Sequence, residues 1–420
     1  MRWSISSWLR YGSGPWDARS AFIRLAAFLQ GKKVVLLDSD PALCAEVLAC
    51  SDTKGTFLER LIATPAWHPI YSIESMDGAR WEQLARDFKA LMADLQWRHR
   101  VGPLTARHTE ALVAEILGAS PGDPEGGPEG SPAAVLDAEA LARLVLRILY
   151  ELLFDHPIEP ADETLFHRAS IEWRKEIAVK GRADPQVKAE FWSRLAVLVE
   201  RSRFKEGLDR YRADPSCWLS LFAQPFLISP QINVGDIFVA VFSHLKADAA
   251  LLSNTLAWAR EADQARLQGV LLEAIRLHHP FPILERELRK DETLGGRRFA
   301  AGTQFVVLLD RFRQDPAFDP GRWLRSAEDN PHVGIPFAAG PRMCPGKPIA
   351  SGLMVEILRL LLLGLPIDRI CPERGHRYSG RHNDGTVTAG ESGYQLGVFA
   401  GVLRRSREIG RRVARRPPAP

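Results

Sequence analysis

The stretch that decides the fold of this chain is Phe337-Ala338-Ala339-Gly340-Pro341-Arg342-Met343-Cys344-Pro345-Gly346. It presents one cysteine between two glycines, an arginine and two prolines, ahead of an apolar helical run that begins near Ile349. Glycine and proline fix a tight loop that lets the backbone approach a flat partner closely. The amides at the start of the helix would favour an ionised sulfur. The stretch predicts a thiolate offered to a metal; the alternative is a buried, unreactive cysteine.

These ten residues resemble the haem-binding loop of the cytochrome P450 family, in which Phe, Gly, Arg, Cys and Gly recur at fixed spacing. Phe337, Gly340, Arg342, Cys344 and Gly346 fill every fixed position. The resemblance implies haem b as the cofactor, Cys344 as the ligand of its iron, and Phe337 and Gly346 as residues beside the cofactor. A thiolate ligand donates electrons to haem iron and favours cleavage of an O–O bond.

Two further motifs precede this loop in the order that the family shows. Glu273 and Arg276 lie three residues apart, on one face of a predicted helix. A buried pair of this kind needs another partner, and the segment Phe318 to Trp323 offers Arg322. The motifs resemble the family's Glu-x-x-Arg pair and its following Phe-x-Pro-x-Arg-Trp segment. The resemblance implies that Glu273, Arg276 and Arg322 form a structural cluster that braces the haem-binding loop.

Haem carries two carboxylates, and buried carboxylates require cations or hydrogen-bond donors. The resemblance nominates Arg342 and Arg286 for this task. It also nominates Trp81, because a family helix offers Trp or His with Arg four residues later. Here that later position is Ala85 and Arg86 follows it. Either the register slips to Arg86, or Trp81 acts with another cation; a half-buried aromatic and a solvated arginine are the plain alternative.

A long predicted helix, 235–262, should cross the open face of the haem near Ser243. Typical oxygen-activating members carry an acid followed by threonine on this helix, to relay protons. Here the acid position falls on Leu245 or Lys246 and the threonine position on Lys246 or Ala247. The remaining candidates for catalysis are Ser243, His244, Lys246, Ala247 and Asp248, each of which could also be an ordinary helix residue. The residues predicted to line a substrate pocket are Phe242, His244, Ala247 and Ile283.

Composition predicts a single large domain. The chain has 420 residues, of which 46% are apolar and 25% are charged, enough for an extensive core. We expect one domain over 1–403, a Pro/Gly-rich loop at 120–134 and a basic tail at 404–420. The absence of a run of about 18 apolar residues and of a signal-peptide core predicts a cytoplasmic protein without a membrane segment. Five cysteines without a CxxC pair argue against a disulfide framework or a zinc site.

The charge distribution argues against nucleic-acid binding. The formal charge is +4, but the segment 404–416 alone holds seven arginines and one glutamate. The rest of the chain is therefore close to neutral, and no basic face is indicated. Arginine also heavily outnumbers lysine, a composition that is common where codons are G+C-rich, so we expect a bacterial source.

The coarse secondary structure is mainly helical. Val34-Val35-Leu36-Leu37 predicts a strand, with Asp40 capping the helix that follows and Pro41 as its first residue. The other predicted helices are 80–93, 108–117, 138–154, 185–213, 235–262 and 266–278. Beyond Arg286 short apolar runs alternate with Gly-rich turns, which predicts a sheet-rich part. The fold class is thus mainly α with a smaller β-rich portion; the resemblance implies the cytochrome P450 fold, with haem between the long helix and the helix after Cys344.

The resemblance implies a monomeric haem-thiolate monooxygenase that oxidises a small organic molecule with O₂, in bacterial specialised metabolism. No flavin or nicotinamide fingerprint is present, so electrons would come from a separate ferredoxin with its reductase or from a flavoprotein. The missing acid and threonine leave open an O₂-independent enzyme that uses a peroxide or rearranges its substrate. A non-catalytic haem-binding protein is a third alternative.

Overall fold

The structure is a computed structural model that describes residues 18–50, 53–55, 73, 76–118, 135–177, 184–206, 215–280, 283–309, 317–326, 329–332 and 334–371. The predicted loop at 120–134 and the basic tail at 404–420 lie outside these residues. The predicted domain boundary at residue 403 also lies outside them.

Helices form most of the described chain. In chain order they are α1 (Ala18–Leu29), α2 (Pro41–Cys50), α3 (Gly78–Asp94), α4 (Trp97–Leu117), α5 (Ala138–Phe154), α6 (Pro160–Ile177), α7 (Pro185–Arg201), α8 (Pro215–Phe222), α9 (Ser229–Ala247), α10 (Ala249–Arg260), α11 (Gln264–Leu277) and α12 (Lys347–Gly364). Short 3₁₀ turns occupy Pro320–Leu324, Gly340–Arg342 and Ile367–Arg369. A π-helical turn, Ala223–Ile228, joins α8 to α9.

The strands form a small mixed sheet and one hairpin. They are β1 (Val34–Leu37), β2 (Ile283–Glu287), β3 (Glu292–Leu294), β4 (Arg297–Phe299) and β5 (Gln304–Leu308). The fully buried β5 lies between β1, which runs parallel to it, and β2, which runs antiparallel and pairs Arg286 with Phe305. β3 and β4 form the hairpin, whose turn residues Gly295 and Gly296 both have positive φ. The predicted strand at the start and the sheet-rich part after Arg286 are confirmed.

The largest apolar cluster is built by the helices, and smaller clusters cover the two faces of the sheet. On one face of the sheet, Ile23 of α1 packs with Val306 and Leu308. Ile283, which is half-buried, packs against the same cluster, and its place in a substrate pocket stays a prediction. Phe242 is fully buried in the helical core, with its ring stacked 6.1 Å from that of Phe238. It therefore packs within the core rather than lining an open pocket.

Several helix boundaries follow local signals that the sequence shows. The Asp40 carboxylate accepts the Leu43 N–H at 2.9 Å, so the predicted cap of α2 is confirmed. The helix predicted over 138–154 has the predicted bounds. The helix predicted over 185–213 ends at Arg201, because Ser202 is extended. Helices α1, α6 and α8 were not predicted.

The long helix begins earlier and ends earlier than predicted. α8, the π turn and α9 form one continuous helical rod from Pro215 to Ala247. Pro225 and Pro230 lack the N–H groups that would bond to the carbonyls four residues before them. The helix widens there, and the Ser229 N–H instead reaches back five residues to the Gln224 carbonyl.

Two side chains donate hydrogen bonds to backbone carbonyl groups of the π turn. The Gln231 amide donates to the Leu227 carbonyl, and the Ser170 hydroxyl of α6 donates to the Ile228 carbonyl. Buried carbonyls require such partners. The widened turn is therefore held by contacts within the rod and by the neighbouring helix α6.

The rod ends at Ala247, and Asp248 separates it from the next helix. The prediction of one continuous helix over 235–262 is therefore wrong. Asp248 has extended backbone, and its carboxylate accepts the N–H groups of Ala250 and Leu251 at 2.9 and 3.0 Å. A side-chain cap of this kind starts a new helix, and α10 follows.

One described helix, Leu219–Ala247, has the length and hydropathy of a membrane span. However, 72% of its most apolar window is buried inside the protein, as is typical of a core helix.

Gly269 sets the distance between α11 and the 3₁₀ turn Pro320–Leu324. A Cβ atom at Gly269 would lie 2.6 Å from the Pro320 carbonyl oxygen. We expect Gly269→Ala to lower the free energy of unfolding by about 1–3 kcal/mol, because the backbone atom it meets cannot move aside.

Gly352 is the matched control, because it is an exposed helical glycine of α12 where an added Cβ atom would meet no neighbouring atom within 4 Å. Gly352→Ala should be neutral or stabilise by up to about 1 kcal/mol. Denaturant midpoints of both variants test this difference, and equal effects would contradict the close approach at Gly269.

Candidate active site

The loop that carries Cys344 is fixed by its backbone. The Cys344 N–H donates to the Phe337 carbonyl at 2.8 Å, which closes the loop across the 3₁₀ turn Gly340–Arg342. Ala338 and Gly340 both have positive φ, 59° and 69°. The chain thus adopts the left-handed backbone region twice within three residues and then enters α12 at Lys347.

The loop is pressed against the end of α2 at Gly340. A Cβ atom there would lie 2.5 Å from the Leu48 carbonyl oxygen and 2.7 Å from the Ala49 Cα. No side chain fits such an approach, and the positive φ also favours glycine. Gly340 therefore allows the contact that docks the cysteine loop on α2.

Cys344 differs in its setting from the other cysteines whose side chains the structure describes. It is half-buried, and it lies three residues before the first residue of α12. The amides of a helix N-terminus favour an anion. By contrast, burial raises the pKa of the Cys44 thiol to about 12, and burial also raises the pKa of Cys50. Cys371 is buried, and its thiol bonds to the Asp368 carbonyl.

Arg342 belongs to the loop, and its side chain has several partners. Its side chain is only 5% exposed, donates to the Met76 carbonyl at 2.7 Å and pairs with the Asp77 carboxylate. Its guanidinium also lies 4.5 Å from the centre of the Trp81 ring, within the range of a cation–π contact. The structure thus brings the predicted residues Arg342 and Trp81 together.

Arg86 does not join them. It is exposed on α3, and its guanidinium donates to the Gln83 side chain at 2.9 Å. This setting agrees with the alternative of a solvated arginine, and the role of Arg86 next to a buried carboxylate stays a prediction. The alternative in which Trp81 acts with another cation agrees with the geometry, since that cation is Arg342.

Arg286 is a second buried cation. It is 4% exposed, its Nη1 donates to the Glu285 carbonyl at 2.7 Å, and its Nε has no hydrogen-bond partner among the described residues. Burial and the nearby Arg342 lower the pKa of Arg286 to about 10, although Cys44 and Asp77 act in the opposite direction. Two buried guanidiniums in one another's field form a site for an anion. A group with two carboxylates, such as haem, fits this donor set.

Glu273 is the centre of a buried hydrogen-bond network. Its fully buried carboxylate accepts bonds from the Arg276 side chain at 2.9 and 2.6 Å. The Arg322 Nε lies 3.5 Å from the same carboxylate. The structure therefore brings together the three residues of the predicted cluster. Arg276 also donates to the Ala317 carbonyl at 3.1 Å.

Two further donors to Glu273 were missed from the sequence. The Trp323 indole N–H donates to the carboxylate at 2.9 Å, and the Asp319 backbone N–H does so at 3.2 Å. The role of Trp323 could have been predicted from the sequence. Trp323 directly follows Arg322, and the N–H of a buried indole needs an acceptor. We call the residues Glu273, Arg276, Asp319, Arg322 and Trp323 the brace.

Three of the catalytic candidates lie at a solvent-exposed helix end. Lys246, Ala247 and Asp248 are all exposed, and the Asp248 carboxylate caps α10. This exposure agrees with the alternative that they are ordinary helix residues, and their catalytic roles, with the pocket role of Ala247, stay predictions.

The other two catalytic candidates, Ser243 and His244, bond within the protein. The Ser243 hydroxyl donates to the Val239 carbonyl of its own helix at 2.6 Å. The His244 ring lies against His278 and stacks on Phe318, with ring centres 4.3 Å apart in the latter pair. His244 therefore faces α11 and the brace, rather than an open pocket.

A different part of the long rod lies near α3, the helix that carries Trp81. The rings of Phe88 in α3 and Phe226 in the π turn are 5.9 Å apart. Trp81 of the same helix contacts Arg342, two residues before Cys344. The π turn thus packs against the helix that contacts the cysteine loop.

A buried polar network lies on α9, close to the π turn. Arg174 of α6 donates to the Asn233 side chain and to the Asp236 carboxylate, each at 3.0 Å, and to the Pro280 carbonyl at 3.3 Å. Asn233 in turn donates to the Ser229 hydroxyl at 2.8 Å. Pro280 begins the segment that leads to Arg286. We call the side chains of Arg174, Ser229, Asn233 and Asp236 the rod network.

The sequence held one signal for the rod network. Asp236 is the one acid within Ser229–Ala247, and Ser229 and Asn233 lie four residues apart on one face. Arg174 could not be found, because it lies 62 residues before Asp236 and no local pattern links them.

The chain offers a test of the brace with a matched control. Glu273→Ala would leave Arg276 buried without its carboxylate, so we expect it to lower the free energy of unfolding by about 3–5 kcal/mol. Glu356 and Arg359 of α12 form the same i, i+3 pair at 2.6 Å, with side chains 25% and 26% exposed. Glu356→Ala should cost about 1 kcal/mol or less.

Urea denaturation of the two variants measures the difference. Similar losses for Glu273→Ala and Glu356→Ala would contradict the inference that burial makes the Glu273 pair essential.

Comparisons with known proteins agree with this geometry. The family model for Cytochrome P450 matches residues 258–365, the part that contains the brace and the cysteine loop. Cytochrome P450 4d2 of Drosophila melanogaster is 29% identical over 140 residues, which cover 31% of this chain and 27% of that relative. Methyltetrahydroprotoberberine 14-monooxygenase of Papaver somniferum is 32% identical over 120 residues, which cover 26% and 23%. These matches thus span about a quarter of each relative.

Similarity to solved structures covers more of the chain than the sequence matches do. The crystal structure of a 6-coordinated cytochrome P450 from Thermus thermophilus matches with a TM-score of 0.55 and 20% identity, and covers 82% of this chain and 90% of that one. The architecture is therefore the cytochrome P450 fold. Within this fold, the part of the chain that carries Glu273 and Cys344, residues 258–365, matches the cytochrome P450 family in sequence.

Proposed function

We propose that this chain is a haem-thiolate monooxygenase that oxidises a small organic molecule. The observation that carries the proposal is the docked cysteine loop beside two buried cations. Cys344 lies at the start of α12, while Arg286 and Arg342 lie in one another's field. The loop would supply the iron ligand, and the cations would neutralise the carboxylates of haem b.

The chain's own residues would share the work of holding the cofactor. Cys344 would bind the iron, with Phe337 and Gly346 beside it. Arg286 and Arg342 would bind the two carboxylates, with Trp81 orienting the Arg342 guanidinium. When bound, thiolate-ligated haem supplies the oxidation chemistry.

The rod network is the candidate for handling protons. It places the Asp236 carboxylate and the Asn233 amide on the long helix, and the Arg174 guanidinium of α6 donates to both. Of these groups, the carboxylate can accept and donate a proton. Asp236 thus takes the place that the sequence assigned to residues 243–248. Arg174 would keep the carboxylate and the Asn233 amide in fixed orientations.

One observation favours a second candidate function, an enzyme that uses a peroxide or rearranges its substrate without O₂. Asp236 is followed by Ile237, so the acid still lacks the adjacent hydroxyl that typical members carry. We rank monooxygenation first, because the carboxylate of the rod network is present. In that case O₂ is the oxidant, and a separate ferredoxin with its reductase, or a flavoprotein, supplies electrons.

The wider setting of the protein belongs to the same proposal. We propose one domain over 1–403, a monomer, a cytoplasmic location and a role in bacterial specialised metabolism. The arginine-rich composition supports the bacterial source. The relatives reported above are from an insect and a plant, and the solved structure is from Thermus thermophilus.

The thiolate is tested by removing the sulfur. Cys344→Ser should abolish the absorption band that a reduced, CO-bound haem shows only with a thiolate ligand, because serine is a far weaker ligand. Cys50→Ser is the control: Cys50 is exposed, and its thiol bonds weakly to the Val47 carbonyl at 3.5 Å. A thiolate band that survives in Cys344→Ser would refute the assignment.

The oxidant is tested with two parallel assays of the haem-loaded protein. Candidate substrates are first selected by the spectral shift that they induce in the haem. Turnover with O₂, a ferredoxin and its reductase should exceed turnover with peroxide alone by about tenfold or more, a difference of about 1.4 kcal/mol in barrier. Product formed at equal or greater rate with peroxide and no electron donor would instead support the second candidate.

A further inference from the structure

Asp77 directly precedes α3, but its side chain does not cap that helix. Its backbone is extended, as is usual for the residue before a helix, yet its carboxylate makes no hydrogen bond to the first amides of α3. An aspartate in this place ordinarily accepts such a bond. Asp137 and Asp184 do so at the starts of α5 and α7. The Asp77 carboxylate is therefore used in another way.

Its partners come from two distant parts of the chain. The Asp77 Oδ1 accepts the Lys54 N–H at 2.9 Å and pairs with the Arg342 guanidinium. Arg342 also donates to the Met76 carbonyl at 2.7 Å and lies 4.5 Å from the centre of the Trp81 ring. A carbonyl, a carboxylate and an aromatic ring around the start of α3 thus hold this guanidinium. Of these three groups, Asp77 carries the negative charge.

The Asp77 charge also reaches the second buried cation of the site. Burial, and after it the nearby Arg342, lower the pKa of Arg286 to about 10, whereas Cys44 and Asp77 act in the opposite direction. Arg286 and Arg342 are the two cations proposed to hold the carboxylates of haem. A charge that acts on both of them also acts on a group bound to them.

We propose that Asp77 is a positioning residue whose charge holds the Arg342 guanidinium beside the cofactor site and lowers the reduction potential of the haem iron. The inference rests on the proposed haem-thiolate function. It goes beyond that function, because it assigns control of the potential to a residue that lies outside the cysteine loop, at the start of α3.

The direction of the effect follows from the charges. Reduction adds one electron, supplied by the ferredoxin or flavoprotein, and converts ferric iron to ferrous iron, which has one positive charge fewer. A carboxylate stabilises the more positive ferric form, so its removal raises the potential. The Asp77 side chain is 31% exposed, whereas that of Arg342 is 5% exposed. Water therefore screens the Asp77 charge only in part.

Three variants of the haem-loaded chain test the inference. Asp77→Asn removes the charge but keeps an oxygen for the Lys54 N–H, and Asp77→Glu keeps the charge. Asp291→Asn is the matched control. The Asp291 carboxylate likewise accepts a backbone N–H, from Ala301 at 2.9 Å, and pairs with an arginine, Arg298, at 3.0 Å. Arg298, however, is 79% exposed.

The midpoint potential of each protein is measured by spectroelectrochemical titration, with the CO-bound thiolate band and the urea midpoint as further readouts. At a fixed solution potential, Asp77→Asn should raise the ratio of ferrous to ferric iron by about threefold or more, equal to about 28 mV for one electron. Asp77→Glu should show less than half of this rise, and Asp291→Asn should show none. A merely structural role of Asp77 would lower the urea midpoint without raising the potential.

Each outcome decides. The inference is overturned by an unchanged or lower potential in Asp77→Asn, and equally by the same rise in Asp77→Glu or in Asp291→Asn. Loss of haem from Asp77→Asn but not from Asp77→Glu would support it, because the charge is then what holds Arg342 in place. Loss of haem from both would overturn it. A wild type without a thiolate band would refute the proposed function, and the inference with it.

Discussion

The structure depends on one buried carboxylate. Glu273 is inaccessible to water, so its charge must be met by donors from the protein. Arg276 supplies two hydrogen bonds from the same helix, and the Asp319 N–H and the Trp323 indole supply two more. These last two belong to a turn some fifty residues away in sequence. Satisfying one charge therefore fixes where α11 and that turn meet, and Gly269 lets them approach closely enough.

A second constraint, an excess of positive charge, defines the site. Arg342 already has the Asp77 carboxylate and the Trp81 ring, yet its charge still reaches Arg286 and disfavours the charged form there. A protein that buries such a cation without enough carboxylate loses stability. The arrangement is best explained by an anionic group that binds there, and a cofactor with two carboxylates meets that need.

The parts of the site that are contiguous in sequence were predictable, and the parts that depend on distant pairing were not. The Cys344 loop and the Glu273–Arg276 pair are short motifs whose spacing is set by local geometry. The long helix offers no such guide, because it is apolar on nearly every side and so has no clear buried face. Its prolines could have revealed the π turn, and Asp248 the break. The partnership of Arg174 with Asp236 has no local signature.

The end of the rod at Ala247 changes how its polar residues should be interpreted. Residues 246–248 belong to a capped, solvated helix end, whereas Asp236 and Asn233 lie nearer the π turn and are held by Arg174. The π turn arises because Pro225 and Pro230 cannot donate hydrogen bonds, and α6 supplies a hydroxyl to one of the carbonyls at this turn. The same helix thus supports the widened turn through Ser170 and the rod network through Arg174. Any movement of α6 would therefore act on both features of the rod at once.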